Sequence, residues 1–149
     1  MTVWRALQQG PGRLERPARL AATAAYVLGA LLVVWSAYIH FHLWDSVGYR
    51  TIPTVGALFV VQSVVGLVLG LGVAVVRRAW LALSGAGFVA GTLGGFLLTV
   101  SLPKGLFGFK DSWSAPFARQ AFGIEVAALV VLLVGAALCL RPHGAADAP

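Results

Sequence analysis

Apolar positions fall into four long runs separated by short polar gaps. Leu20 to His40 is 21 residues without a charge, and its apolar character continues through Phe41, Leu43 and Trp44. Thr54 to Val76 is 23 residues interrupted by Gln62, and Ala79 to Ser101 is another 23, with Ser84, Thr92 and Thr99 but no charge. Ala121 to Leu140 is 20 residues with one ionisable side chain, Glu125. A membrane span needs about 20 residues, at about 1.5 Å rise each, to cross a hydrocarbon core of about 30 Å. In lipid every backbone polar group must be paired within the segment, so runs of this length predict helices. The expected architecture is all-α: a membrane-spanning four-helix bundle, up-down-up-down, with helices at about 20–44, 54–76, 79–101 and 117–140. A basic N-terminal tail over 1–19 precedes the bundle domain over 20–141, and a short tail over 142–149 follows it, expected to be disordered from Gly144 to Pro149.

The gaps sharpen these boundaries. Pro53 and Pro116 precede the second and fourth runs, where proline is tolerated at a helix start. Arg77 and Arg78 alone separate the second and third runs, which predicts a tight antiparallel hairpin. The segment from Leu102 to Pro116 carries Leu106, Phe107, Phe109 and Trp113, aromatic content that suits a loop lying on lipid headgroups. Trp44, Tyr49, Arg50 and Trp113 are the expected interface anchors. The first run exceeds the 7–15 residues of a signal h-region and lacks a small-x-small cleavage site, so it reads as a retained helix.

Composition agrees with a lipid environment. Of 149 residues, 59% are apolar and 11% charged, against about 45–50% and about 25% in soluble domains. The net charge of +6 does not point to nucleic acid, because the basic residues sit in the gaps between runs and not along one element. Arg5, Arg13, Arg16, Arg19, Arg77, Arg78 and Arg141 put seven on one side; Arg50, Lys104, Lys110 and Arg119 put four on the other. That asymmetry favours both termini in the cytoplasm. Cys139 is the only cysteine, which excludes an internal disulfide, a CxxC redox pair and a two-thiolate metal site.

Small residues recur at helical spacing: Gly87, Gly91 and Gly95 on the third run, Gly66 and Gly70 on the second, Ala25 and Gly29 on the first. Such stripes let helix backbones approach closely in a solvent that gives no hydrophobic drive. Packing within the bundle is the preferred reading, ahead of homodimerisation or a substrate groove.

The few polar groups inside the runs gather in one half of the membrane. Counting rise along each helix, His40 lies about 6 Å below Trp44 and Ser36 about 12 Å; Glu125 comes out about 12 Å deep, and Gln62 and Thr92 about 14 Å. His40, Gln62, Thr92 and Glu125 are therefore expected to form a polar cluster facing the bundle axis, since ionisable groups in a membrane turn inward. His40 or Arg119 is the expected partner of Glu125. The cluster serves either to fix helix register or as a protonatable site. His40 and His42 point to opposite faces, about 200° apart on a helix, and a haem held by two histidines has no second histidine at that depth. No cofactor and no metal is implied. Phe59-x-x-Gln62 and Phe122-x-x-Glu125 hint at a parallel internal repeat. No phosphate loop, zincin motif, nucleophile elbow or dinucleotide fingerprint occurs.

Ile39-His40-x-x-Leu43-Trp44, Gly48-Tyr-Arg-Thr-Ile-Pro-Thr-Val-Gly56, Thr92-Leu-Gly-Gly-Phe-Leu-Leu98, Leu106-Phe-Gly-Phe109 and Ile124-Glu-Val-Ala-Ala128 together resemble a family of small four-helix integral membrane proteins common in actinobacteria. The likeness covers most of Leu20 to Leu140 and implies a fold and a plasma-membrane location. The family carries no assigned chemistry, so no catalytic residue is transferred. Three functions remain open: a non-catalytic accessory or small-ligand-binding protein, a small proton-coupled transporter using Glu125, or a redox subunit handling quinone or lipid. The expected partners are the bilayer and a membrane protein or second copy of the chain.

Overall fold

The computed structural model describes residues 2–141; the tail over 142–149, with His143, lies outside the described residues. The described residues form five α-helices: α1 (Val3–Leu7), α2 (Arg16–Ser46), α3 (Val55–Val76), α4 (Ala79–Ser101) and α5 (Ala118–Leu140). Among the described residues there is no strand, only an isolated bridge between Leu106 and Phe109. The last four helices are each long and apolar enough to cross a membrane.

α2 begins four residues before its apolar run, because Pro17 sits in the first turn, where a missing N–H costs nothing. Gly48 ends that segment in the left-handed region, at φ 99°. α3 is entered through a strained γ-turn. Thr54 has φ 64° and ψ −51°, and Val55 N–H donates to the Pro53 carbonyl at 2.7 Å, a conformation that is rare for a β-branched residue. Arg77 caps α3 at φ 50°, Arg78 is extended, and α4 starts at once. The N-terminal segment closes over this turn. Gln9 accepts the Ala79 N–H at 2.9 Å, and Gln8 accepts from Arg78 Nη1 at 2.6 Å.

α2 is the central element. A Cβ placed on Gly66 or Gly70 of α3 would lie 3.1 Å from Ala37 Cβ or 2.6 Å from Val34 Cγ2 of α2. On the other flank, a Cβ on Gly29 would meet Leu132 at 2.6 Å and one on Gly135 would meet Ala25 at 3.3 Å. These two stripes are where backbones approach most closely. α4 packs on α5 through Ala82, Gly85, Ala86 and Val89, with Leu132 in the seam. The main core joins Tyr26 and Val33 of α2, Val73 of α3, Val89 of α4 and Leu132 of α5. A second, smaller cluster at the other end holds Ile39, Leu43, Tyr49 and Val55.

α3 and α4 share far less surface than the other neighbouring pairs. They touch near their joint, where Gly72 faces Leu81, and again where Gly66 faces Phe88. Beyond that point a groove opens. The stripe of Gly87, Gly91 and Gly95 lies in it, and a Cβ on any of the three would meet nothing within 4 Å. The helix packing expected of these three is therefore overturned: the face of α4 that packs is the neighbouring one, and their close-packing role belongs to Gly66, Gly70, Gly29, Gly85 and Gly135.

Candidate functional site

The groove between α3 and α4 is a cavity of about 490 Å³, lined mostly by apolar side chains. Phe59, Gln62 and Leu58 form the α3 wall, and the glycine stripe with Phe88, Thr92 and Phe96 forms the α4 wall. The α4–α5 loop covers one end. There Leu106-Phe107-Gly108-Phe109 makes a tight turn with positive φ at both central residues, 54° and 78°, the geometry of a type I′ hairpin turn. Gly105, at φ 68°, has the Phe109 carbonyl where a side chain would stand, so only glycine fits. Lys110 Nζ donates to the Val100 and Leu102 carbonyls at 2.8 and 2.7 Å, which satisfies the end of α4 and pins the loop.

The four residues expected to form one polar cluster come together as two pairs. In the first, Ser36 Oγ donates to Glu125 Oε1 at 2.7 Å, and His40 Nε2 faces the same oxygen at 3.9 Å. His40 Nδ1 donates to the Ser36 carbonyl at 2.9 Å, which commits that nitrogen and leaves Nε2 as the one turned to the carboxyl. Glu125 is 2% exposed and His40 8%. In the second pair, Thr92 Oγ1 of α4 donates to Gln62 Oε1 of α3 at 2.8 Å, across the groove. The Phe59 ring itself packs on His40 at 5.0 Å. A small cavity of about 50 Å³ lies beside both pairs, bounded by His40, Thr92, Phe96 and Glu125. Arg119, exposed at the start of α5, is not the partner of Glu125. Ser36 is, and its signal was legible: it stands one turn before His40 and at the counted depth of Glu125. Gln62 and Glu125 have different partners, so the repeat positions do not meet as a pair.

The expected interface anchors divide. Arg50 is exposed, Trp44 is half-buried beside Phe41 with rings 6.0 Å apart, and Trp113 is 40% exposed. Tyr49 is corrected: it is buried, stacked on Phe59 at 4.8 Å and edge-on to Phe109 at 5.8 Å. Its hydroxyl donates to Asp111 Oδ2 at 3.3 Å. The α4–α5 loop likewise folds onto the bundle, because Trp113 wedges between Phe96 and Phe122 at 4.9 and 5.0 Å. His42 packs between Tyr38 and Phe117 and away from His40. Among the described residues no group of three His, Cys, Asp or Glu gathers in a metal-binding arrangement.

Tyr49 gives the loop a pH dependence. Burial first, and then the neighbouring Asp111 charge and hydrogen bond, push its phenol from 10.0 up to about 12. The folded state favours the neutral phenol, so this contribution is complete below pH 10.0 and is lost as pH rises through about 12. Spectroscopic titration of tyrosinate is expected to show a late-ionising phenol that Tyr49→Phe removes; an unchanged titration curve would place Tyr49 in water.

No family model matches the chain, and neither a curated protein nor a solved structure matches it. The site's chemistry therefore rests on its own geometry.

Proposed function

We propose that this chain is a multi-pass protein of the bacterial plasma membrane that binds a small lipophilic ligand in the groove between α3 and α4 and does not transform it. The observation that carries this reading is the groove itself: about 490 Å³, with a long wall of bare glycine backbone and few polar groups in its lining. An apolar chain or ring fits such a wall, while Gln62, Thr92 and His40 orient a polar head, the usual division of labour in a ligand pocket. Leu31, Trp35, Val64 and Val68, all more than half exposed, support a lipid surround, since water would leave that apolar surface uncovered. The up-down-up-down arrangement with both termini in the cytoplasm is supported by the division of basic residues, seven against four. Membership of the actinobacterial family rests on the motifs quoted above. An accessory role beside a membrane partner or a second copy takes this ligand-binding form.

The test is native mass spectrometry of protein purified in mild detergent. A lipophilic adduct is expected on the wild type and is expected to disappear from Gly91→Leu, which adds a side chain to the groove at a position where a Cβ meets nothing within 4 Å. The adduct's mass distinguishes a quinone from a phospholipid. An adduct that survives the substitution would refute the groove as its site.

A second reading follows from the Ser36–Glu125–His40 arrangement: a proton-coupled transporter, with Glu125 as the carboxyl that exchanges a proton. It requires flux in proteoliposomes that follows a proton gradient and is abolished by Glu125→Gln. Flux indifferent to the gradient leaves the binding reading alone.

A further inference from the structure

At the opposite end of the bundle from the polar pairs, four of the chain's eleven basic residues converge on one pocket. Arg13 comes from the N-terminal segment, Arg19 from the first turns of α2, and Arg77 and Arg78 from the α3–α4 turn. The pocket has a volume of about 370 Å³, and among the described residues that line it none is acidic. Glu15, the nearest carboxylate in sequence, caps the start of α2 and is exposed. Like charges repel, so a fold that brings Arg19 of α2 to the Arg77–Arg78 turn favours an anion among them.

The pocket is built by the fold and not by chance proximity of loose side chains. Its N-terminal wall is fixed by the Ala79 N–H on Gln9, by the Arg78 guanidinium on Gln8, and by Gly10, where a Cβ would stand 2.5 Å from the Arg77 carbonyl. Arg77 Nε donates to the Ala74 carbonyl at 2.8 Å, which anchors one edge of its guanidinium. Thr23 adds a hydroxyl to the lining. Next to the arginines stand Val75 and Val76, 78% and 48% exposed. Charge and apolar surface thus adjoin at the end of helices long enough to span a membrane.

We propose that this pocket binds a phosphate-bearing anion, with the arginines on the phosphate and, where the anion is a lipid headgroup, the acyl chains running along Val75 and Val76. Guanidinium forks match phosphate oxygens, and basic pockets between helices at a membrane surface select anionic headgroups. The site is independent of the groove between α3 and α4 and stands whether or not that groove takes a ligand.

The experiment uses the full chain in detergent, titrated with dioleoylphosphatidylglycerol, with dioleoylphosphatidylcholine and with inorganic phosphate, and read by native mass spectrometry. Phosphatidylglycerol is expected to bind more tightly than phosphatidylcholine. Each arginine removed is expected to weaken it about fivefold, and Arg19→Gln with Arg77→Gln about thirtyfold. That pair leaves intact the two hydrogen bonds that hold the N-terminal segment. Gly12→Asp is the second variant: its Cβ meets nothing within 4 Å, all four arginines remain, and the added carboxylate is expected to displace the anion. Inorganic phosphate that displaces the lipid at millimolar concentration identifies free phosphate as a ligand in its own right; phosphate without effect assigns the site to the headgroup. Equal binding of the two lipids by wild type, or phosphatidylglycerol binding that neither variant alters, overturns the proposal.

Discussion

Gly70→Leu is expected to destabilise the protein by about 3 kcal/mol or more, while Gly91→Leu leaves stability unchanged or raises it by about 1 kcal/mol. Both glycines belong to stripes with a four-residue repeat, and both lie within helices. At Gly70 a single added carbon would stand 2.6 Å from Val34 Cγ2 and 3.1 Å from the Ala30 carbonyl. The second of these neighbours is backbone and cannot swing aside, so a leucine must push α3 off α2. At Gly91 the added carbon meets open space, and losing glycine's backbone freedom favours the helix. Thermal unfolding followed by circular dichroism, in one detergent, measures the difference. Equal destabilisation by the two substitutions would mean that the glycine face of α4 is packed against something, and the groove would not exist in the assembled protein.

The second large effect is at Glu125. Glu125→Ala is expected to cost about 3 kcal/mol, from the void it leaves and from the Ser36 hydroxyl that loses its acceptor. Glu125→Gln keeps the volume and an oxygen for Ser36 to donate to, and is expected to stay within about 1 kcal/mol of wild type. Ser36→Ala alone is expected to cost about 1 kcal/mol, the usual value for a hydrogen bond between membrane helices. A double-mutant cycle of Ser36→Ala with Glu125→Ala is expected to show coupling of comparable size. Additive losses would show that the 2.7 Å contact contributes nothing to joining α2 to α5.

The helices were legible because hydropathy and proline placement report them directly. The third run, Ala79 to Ser101, and its helix have the same bounds; the second and fourth helices, expected from 54 and 117, each start one residue later. The early start of α2 was not legible, since Arg16 to Arg19 carry no apolar signal and are helical by extension of the run behind them. Glycine spacing was ambiguous for a physical reason. Spacing reports that a face is smooth; whether another helix lies against it depends on how the remaining helices are arranged. The aromatic residues of the α4–α5 loop were ambiguous in a similar way. Tyr49 and Trp113 have the same amphipathic character whether they meet headgroups or cover a bundle end, and Gly105 and Gly108, which turn the chain back, were the sequence features that favoured the second outcome. His40 and Glu125 were brought together as the depth count implied. Their pairing with Ser36, while Gln62 pairs with Thr92, lay beyond it, because a depth count fixes height along the axis and not the angle around it.

The hydrogen bond from Ala79 to Gln9 links positions seventy residues apart in the chain, and it has a consequence for sidedness. Whichever aqueous compartment receives the N-terminal segment receives the Arg77–Arg78 turn as well, because the two are one folded unit. A membrane-impermeant label on a cysteine at Gly12 and one at Arg78 must therefore give the same answer.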